Sequence, residues 1–182
     1  MPLRNRNSRL GYKCFFVTTS CFHHLSLLPH GNGFKLLSNM INRYAYVYNC
    51  DIISYVLMPN HFHLIIYFNE DTRLSEFMRE VKKQSALEIR IDIGITNPSL
   101  LHAIEYPAKG QLYKLWADGF HDFPLYSKKM VKQKLKYIHN NPLQEHWQLV
   151  PTAEQYQYSS AAFYANTTEG LIRTTLYSKY FH

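Results

Sequence analysis

The stretch Ile52-Ile53-Ser54-Tyr55-Val56-Leu57-Met58-Pro59-Asn60-His61-Phe62-His63-Leu64-Ile65-Ile66-Tyr67-Phe68 decides the fold. Two apolar runs flank Pro59-Asn60, a turn dipeptide, so the segment reads as a β-hairpin. Ile52 to Met58 is nearly all apolar, the pattern of a central strand, and His61 to Phe68 returns as its partner. A strand has a side-chain period of two, so Phe62, Leu64, Ile66 and Phe68 share one packing face. His61 and His63 then project together from the other. Two imidazoles on one face can bind a divalent metal; they can equally do no more than cap the end of a hairpin.

Working outward, Tyr12 to Phe22 is rich in Phe, Val and Thr and reads as a first strand. Gly31 to Asn49 reads as a helix, with Phe34, Leu37, Ile41, Tyr44 and Tyr48 recurring at steps of three and four. Thr72 to about Arg90 is a second long helix. Its stripe is Leu74, Met78, Val81 and Ser85, with Arg79, Lys82 and Lys83 outside it. Gly94 to Gly110 contains Pro98 and Pro107 and reads as a loop. Tyr113 to Tyr126 holds a further strand anchored by Trp116 and Phe120. Ser127 caps a third helix from Lys128 to about Asn140, which Pro142 ends. Strand, helix, strand, strand, helix, strand predicts an α+β, ferredoxin-like sandwich: a central antiparallel sheet, helices on one face, and an extra C-terminal helix. One domain over residues 1–182 is expected, with a basic arm at about 1–11 and a packed tail over about 143–182.

Lys plus Arg number 20 against 13 Asp plus Glu, a net charge of +7, which selects polyanions: nucleic acid or an acidic membrane surface. The 15 Tyr and 11 Phe tilt this toward nucleic-acid single strands, whose bases can stack on exposed rings. Cys14, Cys21 and Cys50 are odd in number and form no paired motif. That argues against a disulfide framework or zinc ribbon and for a reducing, cytoplasmic setting. No apolar stretch is long enough to span a bilayer, so no membrane partner is expected.

The third helix carries Lys128, Lys129, Lys132, Lys134 and Lys136 without an acidic residue, a cluster that repels itself unless a polyanion neutralises it. Val131, Leu135 and Ile138 form its apolar stripe. Tyr137 is rotated off that stripe, and Asn141 follows roughly one turn later. On spacing alone Tyr137 reads as a boundary tyrosine.

Four segments, in order, alter that reading. They are Met58-Pro59-Asn60-His61-Phe62-His63, Leu115-Trp116-Ala117-Asp118-Gly119-Phe120-His121, Tyr137-Ile138-His139-Asn140-Asn141-Pro142 and Tyr156-Gln157-Tyr158-Ser159-Ser160-Ala161. Together they resemble the single-tyrosine HUH transposases, and among them the REP-associated tyrosine transposases. The chain departs from many relatives after Pro142, where Leu143-Gln144-Glu145-His146-Trp147 replaces a Gly-containing segment. The resemblance implies a DNA transposase whose paired histidines, His61 and His63, bind a divalent ion, Mg²⁺ or Mn²⁺, with Asn141 as a third ligand. It implies that Tyr137 attacks single-stranded DNA near a hairpin or palindrome and becomes linked to the 5′-phosphate. Arg79, Lys82, Lys83 and Lys134 are expected to meet phosphates, with Arg4, Arg6 and Arg9 as a basic arm. Relatives include monomers and dimers, so a homodimer stays open. The rival is a non-catalytic nucleic-acid-binding module on a ferredoxin-like fold. A histidine-triad hydrolase would need a third His where Ile65 stands.

Overall fold

The computed structural model describes residues 11–108, 111–165 and 168–182. The expected arm residues Arg4, Arg6 and Arg9 lie outside them. The elements are β1 (Cys14–Ser20), α1 (Gly33–Val47), β2 (Cys50–Met58), β3 (His61–Phe68), α2 (Leu74–Thr96), β4 (Glu105–Ala108), β5 (Gln111–Tyr113), β6 (His121–Pro124), α3 (Lys128–His139) and the single turn α4 (Ala161–Tyr164). Four strands make an antiparallel sheet in the order β2-β3-β1-β6, and β4-β5 is a separate small hairpin. With β1, α1, β2, β3, α2 and β6 in sequence, this is the expected ferredoxin-like topology, with β4-β5 inserted before its last strand.

Strand alternation divides the apolar residues between the two sheet faces. Phe15, Val17, Tyr55, Leu57, Phe62, Leu64, Ile66 and Phe68 pack with Leu37 and Ile41 of α1 and with Phe77, Val81, Ile89 and Ile93 of α2. Phe16, Ile53, Val56, Met58 and Ile65 pack instead with Val131 and Ile138 of α3. The helix carrying Tyr137 therefore covers the face opposite α1 and α2.

Two expectations are corrected. β2 is an edge strand of the sheet, not a central one. It reads as nearly all apolar because the C-terminal tail lies along its outer side. Leu57 N–H donates to the Tyr158 carbonyl (2.8 Å), Ser160 N–H to the Tyr55 carbonyl (3.0 Å) and Thr175 N–H to the Ile52 carbonyl (2.9 Å). Those bonds occupy backbone groups that an open edge would leave unpaired. The stretch expected to be a loop from Gly94 also begins as helix, because Ile89 and Ile93 continue the buried stripe of α2. Pro98 then opens a 3₁₀ segment reaching Ile104.

One irregularity matters later. The β2–β3 register shifts between Ile52, opposite Ile66, and Ser54, opposite Ile65, so Ile53 is an extra residue. Ile53 packs in the core on the α3 side, and Ser54 meets His139 of α3. Two consecutive residues thus face the same helix, as a β-bulge allows.

Candidate active site

His61 opens β3 and His63 follows two residues on, so the pleat projects both rings toward α3, with centroids 4.8 Å apart. α3 runs across this face from Ser127, whose side chain accepts from the Met130 N–H. Its last turn brings Tyr137 to the histidines. The Tyr137 ring lies 5.3 Å from that of His63 and 5.9 Å from that of Phe16, edge-on to both. Phe16 and His63 stack at 5.4 Å. Tyr137 is 42% exposed, so its ring is seated on one side and open to solvent on the other.

Asn141 follows α3 in a short 3₁₀ turn with Pro142. The turn folds its amide inward, to 2% exposure, with Nδ2 3.3 Å from His63 Nε2. His63 is 5% exposed. Burial holds its pKa down at about 3, helped by His61 and Lys134 nearby. Burial likewise lowers His61 to about 4, with Asn141 opposing and His24 and His146 adding to the shift. Both rings are therefore neutral near pH 7, the form that ligates metals. His61 Nδ1 lies 2.6 Å from Asn60 Oδ1. With Nδ1–H donating to that oxygen, the Nε2 lone pair is left free, the arrangement that orients a ligating histidine.

Do these residues fit a cation? His63 Nδ1 and Asn141 Oδ1 are buried without a hydrogen-bond partner, an uncompensated cost of about 1–3 kcal/mol per atom. Turning the Asn141 amide by half a rotation puts an oxygen in place of the nitrogen facing His63 Nε2. Two imidazole nitrogens and one carbonyl oxygen would then form a neutral donor set suited to a divalent ion that also keeps other ligands. Among the described residues no three His, Cys, Asp or Glu side chains gather as a metal cluster, so any such centre here relies on the amide.

The four expected phosphate contacts are split. Lys134 lies at the site, with Nζ 4.5 Å from the Phe16 ring centroid, 5.5 Å from that of Tyr137 and 5.9 Å from that of Phe123. Arg79, Lys82 and Lys83 ride on α2, across the sheet from the histidines. Arg79 is exposed and pairs with Glu80 at 3.0 Å, and Lys83 is exposed. Lys82 is half-buried and hydrogen-bonded within the protein. Its ammonium donates to the carbonyls of Ala117 (2.8 Å) and Gly119, and burial lowers its pKa to about 8. It ties down the loop before β6.

The residue reading passed over three side chains at the site. Asn60, a turn residue by sequence and part of the Met58–His63 segment, also holds the His61 ring. Trp147, in the segment that departs from many relatives, has its ring 6.0 Å from that of His61. His139, two residues after Tyr137, is buried, with Nε2 2.9 Å from Ser160 Oγ and 3.3 Å from Ser54 Oγ. The two serine hydroxyls are 2.9 Å apart, and the Tyr55 N–H donates to Ser160 Oγ at 3.1 Å. This network joins the end of α3 to both β2 and the tail. Its sequence signal is Ser54, a lone polar residue in the apolar run of β2.

A pH test follows. Burial lowers His139 from an ordinary 6.5 to about 4, so on acidification the unfolded chain takes up the proton first. Wild-type stability should fall as pH drops from about 6.5 toward about 4. His139→Gln should cost about 1–3 kcal/mol at neutral pH by weakening the buried network, and should make that acid limb shallower by one histidine's share, since buried His61 and His63 also contribute to it. Urea denaturation across this range measures both effects. An unchanged limb would remove His139 from the account.

The comparisons agree with this architecture. A solved REP-associated tyrosine transposase bound to a REP hairpin superposes with a TM-score of 0.67 at 20% identity, covering 96% of this chain and 92% of that one. At that identity the likeness is one of fold. A structure described as a candidate transposase from Deinococcus radiodurans aligns at a TM-score of 0.47 and 18% identity, over 77% of this chain and 97% of the other. No curated protein matches the sequence. The model of the IS200-like transposase family matches residues 30–141, a span that includes His61, His63, Tyr137 and Asn141. The chain belongs to that family. It is thus a DNA transposase, an enzyme that cuts DNA. Among the described residues no helix is long and apolar enough to cross a membrane.

Proposed function

We propose that the chain, acting as one domain in the cytoplasm, cleaves and rejoins single-stranded DNA through a 5′-phosphotyrosine at Tyr137, with His61, His63 and Asn141 holding Mg²⁺ or Mn²⁺. The observation that carries this reading is a convergence. Tyr137 sits with its ring 5.3 Å from that of His63, and Asn141 reaches the same imidazole at 3.3 Å.

A phosphodiester resists attack because its anionic oxygens repel a nucleophile. A divalent ion, when bound, polarises the phosphoryl oxygen and offsets the charge that grows in the transition state. The rest belongs to the side chains. The Tyr137 phenol loses its proton, and its oxygen bonds to phosphorus as the bond from phosphorus to the 3′-oxygen breaks. That oxygen takes up a proton and leaves as a free 3′-hydroxyl, while the 5′-phosphate stays on Tyr137. One phosphodiester is exchanged for another, so a second 3′-hydroxyl can displace the tyrosine without ATP. Packing on Phe16 and His63 holds the phenol ring for in-line approach. Lys134 meets a phosphate beside the scissile one. Arg79 and Lys83 would meet only DNA that reaches the far face. The solved neighbour with a bound hairpin motivates a hairpin beside the cleaved strand here. Because Tyr137 and the histidines meet within one chain, this scheme needs no second copy to complete the site.

The test is incubation with labelled, hairpin-tailed single-stranded DNA and Mn²⁺. A covalent adduct that survives denaturant and disappears with EDTA is expected. Binding without an adduct would favour the non-catalytic module, and a free 5′-phosphate without an adduct would favour simple hydrolysis.

A further inference from the structure

We propose that Phe123 and Lys134 form a shelf along edge strand β6 that holds one base and one phosphate of the single-stranded DNA next to the cleaved linkage. This rests on the reading that Tyr137 attacks single-stranded DNA.

The sheet register places the shelf. Phe123 on β6 lies opposite Phe16 on β1, and Phe16 lies opposite Ile65 on β3. One row toward the strand ends, His121 is opposite Thr18, which is opposite His63. Cross-strand partners share a face, so Phe123 and His121 stand on the same side of the sheet as the histidines and Tyr137. Asp122 is opposite Val17 and alternates to the other face, which keeps its carboxylate off this surface.

Phe123 is 55% exposed on an edge strand, so its ring face is open to a ligand. Its cationic neighbour lies between it and the nucleophile: Lys134 Nζ is within 6 Å of the rings of Phe16, Phe123 and Tyr137. α3 contains no acidic residue, and its Lys128, Lys129, Lys132 and Lys136 are exposed. An open aromatic face beside an ammonium, on a positive surface continuous with Tyr137, has the two parts a nucleic-acid single strand needs: a stacking platform and a phosphate partner. Duplex DNA would satisfy the lysines but has no free base for the ring.

The experiment uses fluorescence anisotropy without divalent metal. It compares labelled oligo(dT) with an abasic deoxyribose-phosphate oligomer of equal length. Wild type should prefer oligo(dT). Phe123→Ala should weaken oligo(dT) binding about tenfold, the low end for loss of one base stack, and leave abasic binding unchanged. Phe123→Trp should restore the preference. Lys134→Ala should weaken both probes and reduce the salt dependence. Three results would each overturn the proposal: oligo(dT) affinity within twofold of wild type in Phe123→Ala, equal losses on both probes, or no wild-type preference for bases. Binding is read apart from cleavage. A missing adduct with the base preference intact counts against the nucleophile, and an adduct without that preference counts against the shelf.

Discussion

Tyr137→Phe is expected to form no covalent adduct while binding single-stranded DNA within about twofold of wild type. The substitution removes one oxygen and keeps the ring that packs edge-on against Phe16 and His63. At 42% exposure the position needs no buried hydrogen bond to stay folded, so thermal unfolding should be nearly unchanged. Under the proposed mechanism the missing oxygen is the atom that bonds to phosphorus, so cleavage should fall by several orders of magnitude. Gel separation of protein–DNA adducts under denaturing conditions, beside an anisotropy titration, reads both halves. An adduct that persists in this variant would move the chemistry to another residue and sink the proposed mechanism.

The second large effect is expected at His63. His63→Ala should reduce cleavage about a hundredfold or more, the scale on which losing a charge-stabilising group acts. DNA affinity should stay within a few-fold, because a neutral ring contributes no phosphate charge. Two contributions go together: a candidate ligand disappears, and the stack that seats Phe16 and Tyr137 loosens. A Mn²⁺ titration separates them. If the ligand matters, the variant needs more metal for half-maximal cleavage; if only seating matters, the metal dependence is unchanged and the metal assignment fails. Burial keeps His61 near 4 and His63 near 3, so the neutral ligand form persists from pH 7 down to about 5. Protonation of these two rings should therefore cost little cleavage across that interval.

How much of this could be read from the chain depended on what kind of signal each feature leaves. The hairpin from Ile52 to Phe68 was legible because alternation and a Pro-Asn turn are local. So was the shared face of His61 and His63, which needs only the pleat. The place of β2 at the sheet edge was hidden. Its apolar run looks the same whether a neighbouring strand or the returning tail covers it. Tyr137 could be placed off the apolar stripe of α3, but its approach to His63 depends on which sheet face α3 covers, and helical periodicity carries no such information. The lysines show the limit most clearly. Lys82 and Lys134 look alike as charges on helices, yet one is tied to backbone carbonyls and the other stands beside the tyrosine.

The extra residue at Ile53 carries its own consequence. With Ile53 present but no bulge, strict alternation from Ile52 would give Ser54 the orientation of Ile52, its hydroxyl among the aliphatic and aromatic side chains beneath α1 and α2. The bulge absorbs the extra residue, so that a serine greets the incoming helix and the residues beyond it keep their proper sides. The end of α3, two residues beyond Tyr137, is therefore tied to β2 through a strand that carries one residue more than its partner.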